Sequence, residues 1–193
     1  MQRKLKQIAF VILLILPFAA WAFVKPVRVL APELAGVSCL SARICVDDAS
    51  RFVEATRLYD EAVSFVRSEV GMIQSVPRAI FCSTAECSRS FGLTRAMAYN
   101  FGTFAVVIGD RSWRSYLVRH ELIHHLQNER LGSLDAVLLK PAWFREGMAY
   151  SLSQDPRRPL PAPLEGYRAD FESWFKQTDR ELLWVEADRL LRN

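Results

Sequence analysis

The clearest pattern in the chain is helical. Between residues 47 and 70, apolar positions recur at intervals of three and four, which places them on one face of an α-helix. Gly71 follows as the expected stop of this helix. Two short apolar runs, at 79–81 and 104–109, instead predict buried strands. Helices interspersed with a few short strands predict one small α+β domain.

The second half of the chain is predicted to be mainly helical. Asp110 or Ser112 can cap a helix that runs to about residue 131, and Gly132 follows as its stop. Pro141 suits the first turn of another helix, which extends to about residue 152. The short connection between these helices favours an antiparallel return of the second against the first.

The C-terminal region continues beyond a proline-rich loop. Four prolines fall between residues 156 and 163, and they predict an extended loop there. A helix from about 166 to 176 is expected next. Thr178 and Glu181 have the spacing of a capping box, which predicts a last helix that ends near Arg192.

The N-terminus has the pattern of an export or membrane segment. Arg3, Lys4 and Lys6 precede an apolar run of 17 residues, Ile8–Val24, which is near the lower limit for spanning a bilayer. The positive flank favours a cytoplasmic N-terminus with the rest of the chain exported. A cleaved signal peptide is the alternative, because the Ala-Trp-Ala at 20–22 has the small-x-small form of a cleavage site.

The N-terminal segment and the proline positions divide the chain into three parts. Residues 1–24 are the predicted membrane anchor or signal segment, residues 25–36 form a spacer with two prolines and a glycine, and residues 37–193 form the folded domain. In a bacterium, a retained segment would be a single-pass inner-membrane anchor with the domain in the periplasm. A cleaved segment would leave the domain soluble in the periplasm or secreted.

The net charge of the chain limits the kinds of partner that the folded domain is expected to bind. The formal net charge is +4, but Arg3, Lys4 and Lys6 carry three of these charges, so the folded part is close to neutral. Nucleic-acid binding would need a concentrated basic face, and no such face is indicated. The N-terminal segment instead predicts contact with a membrane.

The four cysteines fall in two close pairs, Cys39 with Cys45 and Cys82 with Cys87. In an exported domain this spacing favours two short-loop disulfides. A structural zinc site with four cysteines is the alternative, although neither pair has the two-residue spacing typical of such sites.

All three histidines of the chain lie within the segment 120–125. On a helix, His120 and His124 are separated by about 40° around the axis, so both imidazoles can reach one metal ion, whereas His125 points about 140° away from His120. Glu121 lies beside the pair, where a carboxylate can accept a proton from a zinc-bound water. The pattern His-Glu-x-x-His therefore predicts a zinc site with hydrolytic chemistry.

A catalytic zinc site usually has three protein ligands, and the chain has no further histidine suited to the third position. Glu146, 22 residues after His124 on the next predicted helix, is the candidate. Its neighbours are apolar, and Gly147 is costly within a helix unless another element approaches closely there. These features favour a buried position for Glu146 over an exposed helix start.

The two segments His-Glu-Leu-Ile-His at 120–124 and Trp-Phe-Arg-Glu-Gly-Met-Ala at 143–149 resemble the motifs of the gluzincin metallopeptidases. The compact size is similar to that of the small peptidase-MA-like members. The resemblance implies a zincin-like α+β domain with a short mixed or antiparallel sheet, an active-site helix and C-terminal helices. It also implies that His120, His124 and Glu146 bind Zn²⁺ and that Glu121 is the general base.

The resemblance further implies a strand edge that binds the substrate and a side chain that donates a hydrogen bond to the oxyanion. The strand at 104–108 would be the sheet edge that pairs with an extended peptide. Many gluzincins stabilise the oxyanion with a downstream histidine or tyrosine, and Tyr167 is the candidate here, although it can equally be a core tyrosine. Tyr150 could instead support Glu146, as its neighbour one helical turn away.

Three other residues can assist the site without binding the metal. His125 is expected to donate a supporting hydrogen bond or to meet solvent. Asp135 or Asp155 could orient a zinc-bound imidazole, and nothing in the sequence selects one of them.

The predicted function is a zinc-dependent, endopeptidase-like hydrolase that acts on peptides or proteins outside the cytoplasm. The alternative is an envelope interaction module that has the same fold but no catalytic activity. Zinc content and peptide hydrolysis distinguish these two hypotheses.

Overall fold

The computed structural model describes residue 21 and residues 24–190. The predicted anchor or signal segment, apart from Trp21 and Val24, lies outside the described residues. Within the part of the chain that is described, no helix is long and apolar enough to cross a membrane.

The centre of the fold is a mixed sheet of five short strands. Its strands are β1 (Ser38–Cys39), β2 (Ile44–Val46), β3 (Arg78–Phe81), β4 (Ala98–Phe101) and β5 (Ala105–Ile108). Their order across the sheet is β1-β2-β3-β5-β4. The three inner strands run parallel, and each outer strand is antiparallel to its neighbour.

The helices confirm the α+β class predicted from the sequence. They are α1 (Phe52–Glu69), α2 (Ala85–Ser90), α3 (Ser115–Leu131), α4 (Ser133–Leu138), α5 (Ala142–Leu152), α6 (Leu164–Phe175) and α7 (Leu183–Arg189), with short 3-10 segments at Lys25–Leu30, Pro32–Ala35, Ala49–Arg51 and Arg180–Leu182. The sequence predicted the ends of α1, α3, α5 and α6 to within about three residues, apart from the starts of α1 and α3, which lie up to about five residues later than predicted. It missed α2 and α4, which are only six residues each.

The sheet separates two apolar layers. Alternate residues of the inner strands, such as Phe81 and Ile108, pack against α1 and α3 in the larger core, while Ile80 and Val107 face a smaller cluster on the other side. Every residue of β5 is buried, as expected for a strand covered on both faces. The predicted spacer contributes to the smaller cluster through Val29.

The prediction that the strand at 104–108 is a sheet edge is wrong. β5 pairs with β3 on one side and with β4 on the other, so β4 is the edge strand. No clear signal for β4 is present in the sequence, because Asn100 interrupts its apolar run. This agrees with the partial burial of all four of its residues.

Two predicted helix caps are also wrong. Arg114, rather than Asp110 or Ser112, precedes α3. Asp110 instead accepts a hydrogen bond from the Ser88 hydroxyl at 2.7 Å, and the Ser112 hydroxyl donates to the carbonyl of Met97. Both side chains are therefore used to tie the turn after β5 to neighbouring segments.

The last helical segment begins one residue later than predicted. The Thr178 hydroxyl donates back to the Trp174 carbonyl at 2.9 Å, and Asp179 is the residue whose side chain accepts from the Glu181 amide. Helix α7 then ends at Arg189.

Both predicted disulfides are confirmed, and no free cysteine occurs among the described residues. Cys39–Cys45 joins residues that face each other across β1 and β2. Cys82–Cys87 connects the end of β3 to α2, and the Trp113 indole donates to the Cys82 carbonyl at 2.7 Å. The four-cysteine zinc alternative is thereby excluded.

Helices α5 and α6 approach each other most closely at Gly147. A Cβ atom at this position would lie 2.1 Å from the Tyr167 carbonyl oxygen and 2.7 Å from the Phe171 Cβ. This close packing gives the physical reason for a glycine in the middle of α5. It also fixes the position of Glu146, the preceding residue.

We expect Gly147→Ala to lower the free energy of unfolding by about 3 kcal/mol, because the added methyl group overlaps the backbone of α6. Urea denaturation of the wild type and the variant measures the change. Gly166→Ala is the control: no atom lies within 4 Å of a Cβ there, so stability should be unchanged or slightly higher. Equal losses in both variants would contradict this account of the helix contact.

Candidate metal centre

Helix α3 presents His120 and His124 on the same side, one turn apart. Their Nε2 atoms lie 3.1 Å from each other, and their rings meet edge to face with centroids 4.7 Å apart. The two lone pairs that can bind a metal therefore converge on one point, as the spacing of four residues predicts.

Glu146, near the middle of α5, completes the cluster. Its Oε2 atom lies 3.8 Å from His120 Nε2 and 3.6 Å from His124 Nε2, and ligand atoms of the three residues all lie within 4.8 Å of one another. Tetrahedral ligands at zinc-like bond lengths would be separated by about 3.4 Å. The three atoms therefore have the separation that a small tetrahedral cation requires.

A hydrogen-bonded chain through Gln127 connects the two helices. The Gln127 Oε1 atom lies 2.8 Å from His124 Nδ1, and its Nε2 atom donates to the Arg145 carbonyl at 3.0 Å. Because an amide oxygen only accepts, Nδ1 of His124 must donate, which leaves Nε2 free to bind a metal. Gln127 is three residues after His124, so helical spacing could have identified it.

His120 is held by its surroundings in the neutral form. Burial and the neighbouring His124 lower its pKa to about 3. The Tyr150 ring packs edge to face against it, with centroids 4.5 Å apart. Neutral imidazole is the form that binds metals.

The charges of Glu146 and His124 depend on each other. Burial alone would raise the pKa of Glu146, but the nearby His124 and His120 outweigh it and lower the pKa to about 2. Burial likewise acts to lower the pKa of His124, and the Glu146 carboxylate reverses this so that the net shift is upward. Glu146 is therefore ionised at neutral pH, as a metal ligand must be.

Glu121 lies beside the cluster in a buried position. Burial raises its pKa to about 7, with the nearby Glu146 carboxylate adding to the rise and His124 opposing it. A carboxyl group with a pKa near neutrality can both accept and donate a proton at physiological pH. This property suits a general base and acid.

The cluster lies in a cleft of about 800 Å³. One side of helix α3 forms its floor, from Leu117 to Asn128, and the outer strand β4 forms one wall. The side chain of Asn128 donates to Asn100 Oδ1 at 2.6 Å and to the Gly102 carbonyl at 3.1 Å, which holds the wall against the floor.

The other predicted site residues lie elsewhere. Tyr167 is half-buried on α6 and is not among the described residues that line the cleft, whereas Tyr150 is. His125 is fully buried, so it does not meet solvent, and its Nε2 atom lies 3.3 Å from Glu129 Oε1. Asp135 lies near Gly132, at the C-terminal end of α3.

Asp155 is the nearer of the two predicted orienting carboxylates. Its charge acts on the pKa of His120, but its hydrogen bonds go to Arg157. His120 Nδ1 has no hydrogen-bond partner among the described residues. Arg157 itself lines the cleft, and no motif in the sequence had marked it as a site residue.

Comparison with known proteins gave no match to a family model, to a curated protein or to a solved structure.

We expect Glu121→Gln to change how stability depends on pH. Because burial raises the pKa of Glu121 from 4.5 to about 7, its contribution to wild-type stability is present at pH 4 and is lost as the pH rises to 7. Glutamine does not titrate, so the variant does not lose this contribution. Its free energy of unfolding minus that of the wild type should therefore increase by up to about 3 kcal/mol between pH 4 and pH 7. Denaturation at several pH values, with chelator present throughout, measures this difference; a difference independent of pH would contradict the assignment.

Proposed function

We propose that the protein is a zinc-dependent peptide-bond hydrolase of the gluzincin type. The observation that carries this proposal is the convergence of His120, His124 and Glu146 beside a buried carboxyl group, Glu121, in a cleft bordered by the outer strand β4. Two imidazoles and one carboxylate form a ligand set typical of catalytic zinc, with a fourth position left for water or substrate.

Zinc fits these residues better than calcium or magnesium do. Calcium and magnesium prefer oxygen ligands, whereas two of the three ligand atoms here are imidazole nitrogens. Bound at this site, zinc would polarise a substrate carbonyl and lower the pKa of water. Histidine and carboxylate are both protonated at low pH, so we expect affinity to fall on acidification.

Glu121 would move the proton during hydrolysis. Its carboxylate would accept a proton from the attacking water as the new C–O bond forms, and would then donate it to the leaving amine nitrogen as the C–N bond breaks. The pKa of about 7 matches both roles, because neither form is strongly favoured at neutral pH.

Strand β4 would hold the substrate. It is an outer strand of the sheet and lines the cleft along its whole length, so an extended peptide could add to it through backbone hydrogen bonds. This assigns to β4 the role that sequence analysis gave to residues 104–108.

Tyr150 is the better placed of the two tyrosines for stabilising an oxyanion. Its ring contacts the His120 ring and lines the cleft, whereas Tyr167 is not among the described residues that line the cleft. A phenol donates a hydrogen bond that strengthens as negative charge develops on the carbonyl oxygen.

The proposed location is outside the cytoplasm. Two disulfides are typical of oxidising compartments, and the apolar run Ile8–Val24 with its positive flank is typical of an exported chain. We propose the bacterial periplasm, with the N-terminal segment as an inner-membrane anchor or a cleaved signal.

We expect the full-length protein to bind about one zinc ion per chain. His124→Ala and Glu146→Ala should each lose it or bind it far more weakly, because two protein ligands remain. Metal analysis after dialysis measures the content. His125→Gln is the control, since this buried histidine lies outside the cluster and its replacement should leave zinc bound.

Zinc retained at full affinity by Glu146→Ala would identify a different third ligand. Absence of zinc from the reconstituted wild type would contradict the proposed cofactor, and the interaction module without catalytic activity would then be the better explanation.

We expect Glu121→Gln to keep its zinc while peptide hydrolysis falls by about 10²–10⁴-fold, because the proton acceptor is lost but the ligands are not. Initial rates on a fluorogenic peptide library measure the change. Hydrolysis by the variant at the wild-type rate would reject the proposed mechanism.

The same assay compares the two tyrosines. Tyr150→Phe should lower the rate with little effect on zinc content, and Tyr167→Phe should leave the rate unchanged. The reverse result would return the oxyanion role to Tyr167.

A further inference from the structure

The charged residues that line the cleft are unevenly distributed. Outside the cluster and Glu121, the described lining residues include three arginines, Arg95, Arg145 and Arg157, and no carboxylate. Arg145 lies at the centre, with its Nη2 atom 3.9 Å from Glu146 Oε1. Arg157 lies beside the cluster, 5.8 Å from the ring of Tyr150, which packs against His120. Together with Arg95 it gives one part of the cleft basic side chains that the proposed chemistry does not use.

Arg157 is fixed in place although it lies in the proline-rich loop. Its Nε atom donates to both Asp155 oxygens at 3.0 and 3.1 Å, and its Nη2 atom lies 2.5 Å from Asp155 Oδ2. Its own backbone carbonyl accepts from the buried Arg168 at 3.0 Å. The ordering cost of a long side chain is therefore already met before a ligand binds.

One nitrogen of Arg157 remains available for a ligand. Asp155 engages Nε and Nη2, while the only hydrogen-bond contact of Nη1 among the described residues is Met97 Sδ at 4.0 Å. The guanidinium also lies near the rings of Tyr116 and Tyr150, at 5.3 and 5.8 Å from their centroids. A substrate carboxylate at Nη1 would gain a charge-assisted hydrogen bond.

The opposite end of the cleft is apolar and exposed. Phe104, Leu134 and Val137 line it, with 63%, 74% and 47% of their surface exposed. The short helix α4 brings Leu134 and Val137 to this end, because Ser133 lies against the turn at Gly102. A bulky apolar side chain docked here would remove these surfaces from water.

Strand β4 sets the distance between the two ends. Met97, which contacts Arg157, precedes β4, and Gly102, which contacts α4, follows it. Five residue steps at about 3.3 Å each separate these ends by about 16 Å. Helix α3 runs between these ends, because His120 contacts Tyr150 near Arg157 and Asn128 donates to the Gly102 carbonyl. An extended peptide along β4 would therefore place four or five residues between the two ends and pass the cluster.

We propose that the cleft selects extended peptide segments with an acidic side chain on one side of the scissile bond and a large apolar side chain on the other. The proposal rests on the proposed function for the position of that bond, but its recognition chemistry is independent of turnover. Arg157, with Arg95, is the acid-binding end, and Phe104, Leu134 and Val137 form the apolar end.

Binding to the full-length Glu121→Gln chain with zinc present tests this proposal without cleavage. The probes are fluorescein-labelled peptides that carry Asp and Leu four residues apart, with either residue first. The comparison peptides have Lys in place of Asp or Ser in place of Leu. Fluorescence anisotropy should show the better Asp–Leu peptide binding about tenfold more tightly than its Lys–Leu counterpart. Added salt should reduce this ratio.

Matched variants in the Glu121→Gln background assign the acid-binding end. Arg157→Gln should remove most of the preference for Asp over Lys. Arg158→Gln is the control, because Arg158 pairs with Glu172 at 3.6 Å and is not among the described lining residues. If Arg157→Gln does not fold, Arg95→Gln replaces it, because Arg95 is exposed. This variant should show a smaller loss of the preference for Asp over Lys.

A second matched set assigns the apolar end. The double variant Leu134→Ser/Val137→Ser should weaken the preference for Leu over Ser. Leu182→Ser/Val185→Ser replaces an equivalent pair, 47% and 49% exposed, that does not line the cleft, and it should leave the preference unchanged.

The outcomes separate this proposal from the proposed function. Equal affinity for all peptides, or a preference that survives the arginine variants, overturns the substrate class even if the wild type hydrolyses peptides. Selective binding that the arginine and apolar variants remove supports the substrate class even if the wild type cleaves none of these peptides, in which case the hydrolase proposal fails alone.

Discussion

The close contact of α5 with α6 at Gly147 is the constraint on which the candidate site depends. With the Tyr167 carbonyl only 2.1 Å from where a Cβ would lie, α5 can occupy a single position along α6. Glu146, the preceding residue, is thereby directed to the two imidazoles of α3. The hydrogen bonds of Gln127 to His124 and to the Arg145 carbonyl fix the same relation from the other side. Helix packing and hydrogen bonds thus both hold α5 in the position that brings Glu146 to the two histidines.

The resulting cluster brings ionisable side chains together at partly or fully buried positions along the cleft. Burial raises the pKa of Glu121 and lowers that of His120, while Glu146 and His124 stabilise each other's charged forms. Such groups are costly to bury without partners, and perturbed pKa values in a cleft are typical of functional sites. The approach of two imidazole nitrogens and a carboxylate within 4.8 Å is an arrangement that a bound cation would stabilise.

Two parts of the chain that line the cleft are held in place by different contacts. Strand β4 and the helix α3 are joined through Asn100 and Asn128. The loop with four prolines is ordered instead by polar contacts, in which Asp155 holds the Arg157 side chain and Arg168 holds its backbone. This loop carries Arg157, which we propose as the acid-binding end of the cleft, and these hydrogen bonds hold it in place.

The sequence by itself determined the long helices, two of the three inner strands (β3 and β5), both disulfides and the three residues that converge at the site. Helical periodicity, β-branched runs and residue spacing are local properties, so they can be read from neighbouring positions. Only the tertiary structure decided that β4 is the sheet edge, that Tyr150 lines the cleft while Tyr167 does not, and that Arg157 faces the site. These outcomes depend on contacts between segments far apart in the chain, and strand order in particular is set by how the whole sheet buries its two faces.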